Sequence, residues 1–295
     1  MDAPWGAASQ WDAAHQWAAG LDRLTGQLRR LAGDGPAPGD VFGFDPELTV
    51  ELLLPALRPV WRAYFAGEVS GAEHIPASGA ALVVGNHAGT FPLDGLLLAL
   101  ATYDEGAAPR HLRLLAADLL FRFPVVGDIA RRFGVIRADR ADAAALLAAG
   151  ELVGVFPEGF SGTGKLYDER HQLQPFGRGG FAALAIRSGT PIVPVAIVGA
   201  EDSYPMLADL SPLARALGLP YFPITPTFPW LGPLGFLPLP AKWLIEFCEP
   251  VPTDGFGGPE AADDPAVVAD LTAQVRDTVQ LHVDKLVAQR GEPYR

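Results

Sequence analysis

The chain has 295 residues, with 22 basic against 34 acidic side chains and a formal net charge of −12. An apolar share of 49% is that of a globular chain rather than a disordered one. The acidic balance excludes nucleic acid as a partner, because that attraction needs clustered cations facing the phosphates, and the single cysteine, Cys248, excludes an intrachain disulfide and every Cys-based zinc site.

In chain order, the expected architecture begins with a helical pair over residues 1–67. Trp17, Leu21, Leu24, Leu28 and Leu31 recur at helical spacing and form one apolar stripe. Gly33, Gly35, Pro36 and Pro38 then stop the helix. Asp45-Pro46 opens a second helix with a cap and a first-turn proline, and Pro55 and Pro59 should bend it. Its aromatic end, Trp61, Tyr64 and Phe65, has two readings: packing on the core, or contact with a membrane surface.

From residue 68 onward, short apolar runs alternate with helical stretches. The predicted strands are Ala81–Gly85, Leu112–Ala116, Gly134–Ile136, Leu152–Phe156, Ile192–Val198 and Trp243–Glu249. Helices are expected near 92–103, 117–132, 141–149 and 178–188, with a last one from Asp264-Pro265 to Gly291. That alternation predicts an α/β domain over 68–295, a mainly parallel sheet flanked by helices.

Between Arg215 and Lys242 lie 26 uncharged residues, long enough to cross a bilayer by count. They include seven prolines and three glycines. Each interior proline removes a backbone donor, and a hydrocarbon core cannot satisfy the carbonyl it frees. Residues 216–241 are therefore predicted to form an irregular apolar surface loop that touches lipid. The opening Met1-Asp2-Ala3-Pro4-Trp5 lacks the basic start and apolar core of an export signal, so a cytoplasmic placement is expected.

Three places carry residues capable of chemistry. After the strand Ala81–Gly85 comes Asn86-His87-Ala88-Gly89-Thr90-Phe91-Pro92-Leu93-Asp94. A His and an Asp are the minimum for a general base with an orienting partner. On one unbroken helix their seven-residue separation would span about 10.5 Å, too far for a hydrogen bond. Pro92 marks a helix start, however, which puts His87 in the preceding loop and Asp94 in the first turn. There the loop can fold back over the carboxylate; the bland reading makes Asp94 a helix-start residue and His87 a turn residue.

The second place follows Leu152–Phe156 and reads Phe156-Pro157-Glu158-Gly159-Phe160-Ser161-Gly162-Thr163-Gly164-Lys165. Gly159 to Lys165 matches the spacing of a phosphate loop, but Leu166 stands where a magnesium-binding hydroxyl belongs and Glu158 adds negative charge. A serine-hydrolase elbow also fails, because Thr163 replaces its last glycine. The third feature is a local charge reversal: residues 110–140 hold seven arginines and three aspartates. Arg137 and Arg140, at the end of a short strand, are the candidates for an anionic ligand, since arginine contacts phosphate in bidentate fashion. The remaining histidines, at 15, 74, 111, 171 and 282, fit no metal spacing.

Taken in order, these blocks resemble those of the glycerophospholipid (lysophospholipid) acyltransferase superfamily, over about residues 70–252. Asn86-His87 with Asp94 looks like the catalytic block, Gly134-Val135-Ile136 to Arg140 like the block whose arginine contacts the acceptor phosphate, Phe156-Pro157-Glu158-Gly159 like the acceptor-site block, and Ile192-Val193-Pro194-Val195 like the strand lining the acyl pocket. Phe176-Gly177-Arg178-Gly179-Gly180 takes the place of the family's glycine-bearing helix start. Six residues rather than the usual four separate His87 from Asp94. This longer form is similar to the monoacylglycerol and diacylglycerol acyltransferase-like branch.

The resemblance implies a peripheral enzyme on the inner face of the membrane. It would move an acyl group from acyl-CoA, as co-substrate with no further cofactor and no metal, to a lysophospholipid or glyceride hydroxyl in phospholipid biosynthesis. His87 and Asp94 would be catalytic; Arg140, Arg137, Phe156, Pro157, Glu158, Gly159, Arg178 and Lys165 would bind substrate. A non-catalytic lipid-binding protein and a thioesterase or lipase are the alternatives, and the oligomeric state is left open.

Overall fold

A computed structural model describes residues 26, 27, 30, 31 and 39–294. Of the stripe expected from Trp17 to Leu31, only Leu31 is among them, in helical backbone; the rest, the stop at 33–38 and His15 lie outside the described residues.

The strands are β1 (Glu68–Ser70), β2 (Ala81–Gly85), β3 (Leu112–Ala116), β4 (Ile136–Arg137), β5 (Leu152–Val155), β6 (Ile192–Val198), β7 (Ala208–Asp209), β8 (Pro223–Ile224) and β9 (Leu244–Phe247). Seven of them form one sheet in the order β1-β9-β6-β2-β5-β3-β4, while β7 and β8 pair separately. Every neighbouring pair in the large sheet is parallel except β6 with β9. β2 and β6 are buried along their whole length, which is why each reads as an unbroken apolar run rather than an alternation. Gly134 and Val135 make a turn rather than the start of a strand, so β4 begins two residues later than expected.

The main helices are α1 (46–64), α2 (Leu93–Glu105), α3 (Pro124–Arg132), α4 (Arg140–Ala148), α5 (Gly180–Ser188) and α6 (Pro265–Arg290). The aspartates 45, 139 and 264 cap α1, α4 and α6, each accepting from backbone N–H groups of the first turn. One face of the sheet packs against α4, α5 and α6 through Leu146, Leu147, Ala182, Ala185, Leu271 and Val275. The other packs against α1 and α2 through Leu54, Trp61, Phe65, Leu97 and Leu98.

Two expectations change in detail. The helix runs on through Pro55 and Pro59, which were expected to bend it, and widens into π turns at Thr49–Leu53 and Val60–Tyr64. Trp61 and Phe65 are buried in the core beneath β2 and β6, which makes α1 part of the domain's own packing and leaves Tyr64 as the exposed aromatic of that end. Residues 216–241 are less irregular than expected, since they include the end of a short helix (Ser211–Leu217), β8, and a 3-10 turn at Gly232–Phe236. Among the described residues, no helix is long and apolar enough to cross a membrane.

Candidate active site

β2 is the central strand of the sheet, and the loop leaving its C-terminal end carries His87. Ligands of open parallel sheets bind at this edge, because strand ends and helix starts meet there. Asn86 anchors the loop: its amide donates to the carbonyl of Ile197 at 2.9 Å and accepts from the N–H of the same residue at 2.8 Å. Gly89, at φ +83° and pressed against the backbone of Ala200, lets the chain turn back.

That turn brings His87 and Asp94 together across the loop. His87 Nδ1 lies 2.7 Å from Asp94 Oδ2, which also accepts the N–H of Ala88 at 2.9 Å, while Oδ1 accepts the N–H of Gly95 at 2.8 Å. Asp94 is fully buried in the first turn of α2, where the helix dipole favours negative charge. Because the carboxylate occupies Nδ1, Nε2 is the nitrogen available to a substrate. The Phe156 ring stacks on the imidazole, with centroids 4.5 Å apart and planes 13° from parallel, and so holds its plane.

The segment after β5 supports this loop from below. Glu158 Oε1 accepts the N–H of His87 at 2.9 Å, and Oε2 accepts the N–H of Gln174 at 2.6 Å. Burial pushes the Glu158 carboxyl above the usual carboxylate range, with Lys165 and the two amides pulling it partly back. Pro157 and Gly159 make the turn that carries it, and the short helix Phe160–Thr163 then packs on the loop. A Cβ on Gly162 would come within 2.6 Å of the carbonyl oxygen of His87, so only glycine permits that approach.

Two of the residues expected to bind substrate are engaged within the scaffold. Lys165 is not offered to an anionic ligand: its ammonium is buried, 3.1 Å from Glu201 and 3.6 Å from Glu158, and donates to the carbonyl of Gln172. Glu158 is likewise turned inward, with both oxygens engaged by backbone amides. The arginines remain outside this shell. Arg137 is more than half exposed, with Nε 3.8 Å from Asp118. Arg140 opens α4 beside Gly180, and Arg178 is exposed. Arg110 and Arg113 explain much of the local charge reversal structurally: the first holds the carbonyls of Pro76 and Gly150, and the second is buried on Asp40 beneath the Phe44 ring.

Sequence reasoning missed the far side of the loop. Tyr221 donates its hydroxyl to the carbonyl of Thr90 at 2.8 Å, and Phe91 meets Tyr204, Phe228 and Phe236 edge-on. No local signal marks these partners, since each contact spans more than a hundred residues of chain.

The family model named Acyltransferase matches residues 67–198. An uncharacterized protein of Mycobacterium tuberculosis is 52% identical over 268 residues, covering 90% of this chain and 74% of the relative. The human DGAT1/2-independent enzyme synthesizing storage lipids is 26% identical over 80% of this chain and 66% of its own length. Among solved structures, the 1-acyl-sn-glycerophosphate acyltransferase PlsC of Thermotoga maritima shares the fold, with a TM-score of 0.54 and 21% identity over 81% of this chain and 80% of that one. With the blocks in order along the chain and these similarities around them, the chain belongs to the glycerophospholipid acyltransferase superfamily.

Proposed function

We propose that this acyltransferase moves a fatty acyl group from acyl-CoA to the hydroxyl of a glycerolipid, with His87 as general base. The 2.7 Å contact between His87 Nδ1 and Asp94 Oδ2 carries the reading. In it, Nε2 takes the proton of the acceptor hydroxyl as the oxygen attacks the thioester carbonyl. The tetrahedral oxyanion then collapses, the carbon–sulfur bond breaks, and the departing thiolate recovers the proton from the imidazolium. Asp94 holds the tautomer and stabilises the cation, so no covalent enzyme intermediate is required.

The acceptor side draws on two observations. Arg137, Arg140 and Arg178 lie by the β4–α4 and α5 starts and would meet a phosphate-bearing acceptor. The six-residue His87–Asp94 spacing, and the similarity to enzymes named for storage-lipid synthesis, support a neutral glyceride as well. The water-insoluble acceptor gives the exposed apolar residues of 216–241 a use, contact with the membrane face from which it is drawn.

The test is turnover of labelled acyl-CoA against a panel of lysophospholipids, monoacylglycerols and diacylglycerols. His87→Ala should lower turnover by about 100-fold or more, the scale of general-base catalysis, with an unchanged circular dichroism spectrum. Turnover at the wild-type level would remove His87 from the mechanism.

A further inference from the structure

Among the described residues, a group of buried charges runs from Glu158 to the C-terminal helix. Side chains of Lys165, Glu158, Glu201, Asp202 and Arg290 are at most 7% exposed. Lys165 joins Glu158 to Glu201; Asp202 accepts from Tyr167 at 2.9 Å and pairs with Arg290 of α6 at 2.6 Å. A buried ion that loses its partner is left uncompensated, so each member of such a group holds the others in place.

The strap 171–174 closes the circuit. Gln280 of α6 accepts the N–H of Leu173 and donates to the carbonyl of His171, while Arg276 donates to the carbonyl of Leu173. The same strap supplies the Gln174 N–H to Glu158 and the Gln172 carbonyl to Lys165. A continuous chain of contacts therefore leads from α6 through the strap and Lys165 to Glu158, and from Glu158 to the backbone of His87.

We infer that Lys165 is a positioning residue for acyl transfer: with the strap that Gln280 holds, it keeps Glu158 as a two-oxygen acceptor, which fixes where His87 stands. This rests on His87 being the base. The charged and titratable groups acting on Glu158 are Lys165, Glu201 on the turn after β6, and His87 through its backbone N–H; one contact further out, His171 on the strap lies by Glu201 and Asp202, and Arg276 of α6 holds the Leu173 carbonyl. Without Lys165, Glu158 faces Glu201 with no cation between them and keeps its proton to higher pH. A protonated carboxyl has one good acceptor oxygen, so either the His87 or the Gln174 amide loses its partner.

The test is kcat and KM of the full chain, wild type against Lys165→Met, Lys165→Arg and Gln280→Leu, across pH about 6 to about 9. Lys165→Met should lower kcat about tenfold or more near neutral pH, with KM for acyl-CoA changed by about twofold or less, a misplaced base rather than a lost binding contact. Its activity should recover as pH rises, moving the acid limb upward, and Lys165→Arg should restore most of kcat. Gln280→Leu, on the half-buried face of α6, should shift the same limb in the same direction by less and serves if Lys165→Met does not fold. A loss equal at every pH, or a folded Gln280→Leu variant with the wild-type profile, overturns the inference. Wild-type turnover by His87→Ala overturns the catalytic reading instead, so the two failures are told apart.

Discussion

At His87 the tautomer is set by neighbours rather than by the ring itself. Asp94 takes Nδ1, Phe156 takes one ring face, and Glu158 takes the backbone N–H, leaving Nε2 as the edge that the proposed reaction would use. The least forgiving of these supports is a missing side chain. Gly162→Ala would set a methyl 2.6 Å from the His87 carbonyl and 2.8 Å from the Glu158 Cβ. The turn must then back away, at about 1–3 kcal/mol of overpacking strain. Both the urea midpoint and turnover should fall; a variant that kept full turnover would show the Phe160–Thr163 turn to be irrelevant to the base. Cys248, by contrast, is kept as the neutral thiol: burial, with Glu246 nearby, pushes it up to about 12.

At the scale of elements, the apolar segment after β7 has two faces. Its inner residues bind the site, through Tyr221 on Thr90 and Phe228 and Phe236 around Phe91. Its outer residues are bare: Trp230 is 69% exposed, Leu234 64% and Leu237 61%. The hydroxyl of Tyr64 donates to the carbonyl of Pro238 and ties the end of α1 to the same rim. If this rim meets lipid, Trp230→Asp with Leu234→Asp should weaken co-sedimentation with lipid vesicles by about tenfold or more, since each apolar side chain withdrawn from water is worth roughly 1.5–3 kcal/mol. Circular dichroism should be unchanged, because neither side chain supports the core. Undiminished co-sedimentation would refute the assignment.

Over the whole molecule, stability against acid depends on buried carboxylates that only the folded chain pairs. Burial pushes Asp202 up, but His171, Arg290 and Tyr167 pull it down by more, so its folded value lies below the ordinary one. A carboxylate depressed in this way stabilises the fold above its unfolded value and loses that contribution as pH falls through the folded one. The stability gap between wild type and Asp202→Asn should therefore be widest near pH about 7 and shrink on acidification below about 4, measured by urea unfolding at each pH. A gap independent of pH would show that Asp202 stands uncoupled from Arg290.

How much of this could be read from the chain follows from which interactions are local. β2, β3 and β6 have the expected bounds: β2 and β6, covered on both faces, show as unbroken apolar runs, and in β3 Arg113 alone interrupts one. β1, with Glu68 and Ser70 either side of Val69, shows no such run and was not expected. The His87–Asp94 pair was legible from local signals too, since Pro92, five residues after His87 and two before Asp94, marks the helix start and puts the two residues on either side of the loop–helix junction. Strand order, the inward turn of Glu158, the commitment of Lys165 to Glu201 and the grip of α6 on the strap were not legible. By itself the sequence determined most element types, the family blocks and the pairing of imidazole with carboxylate, because periodicity and turn chemistry act over a few residues. Which charges stay at the surface and which hold the scaffold was decided by tertiary structure alone, because burial and ion pairing depend on segments that meet only after the sheet has closed.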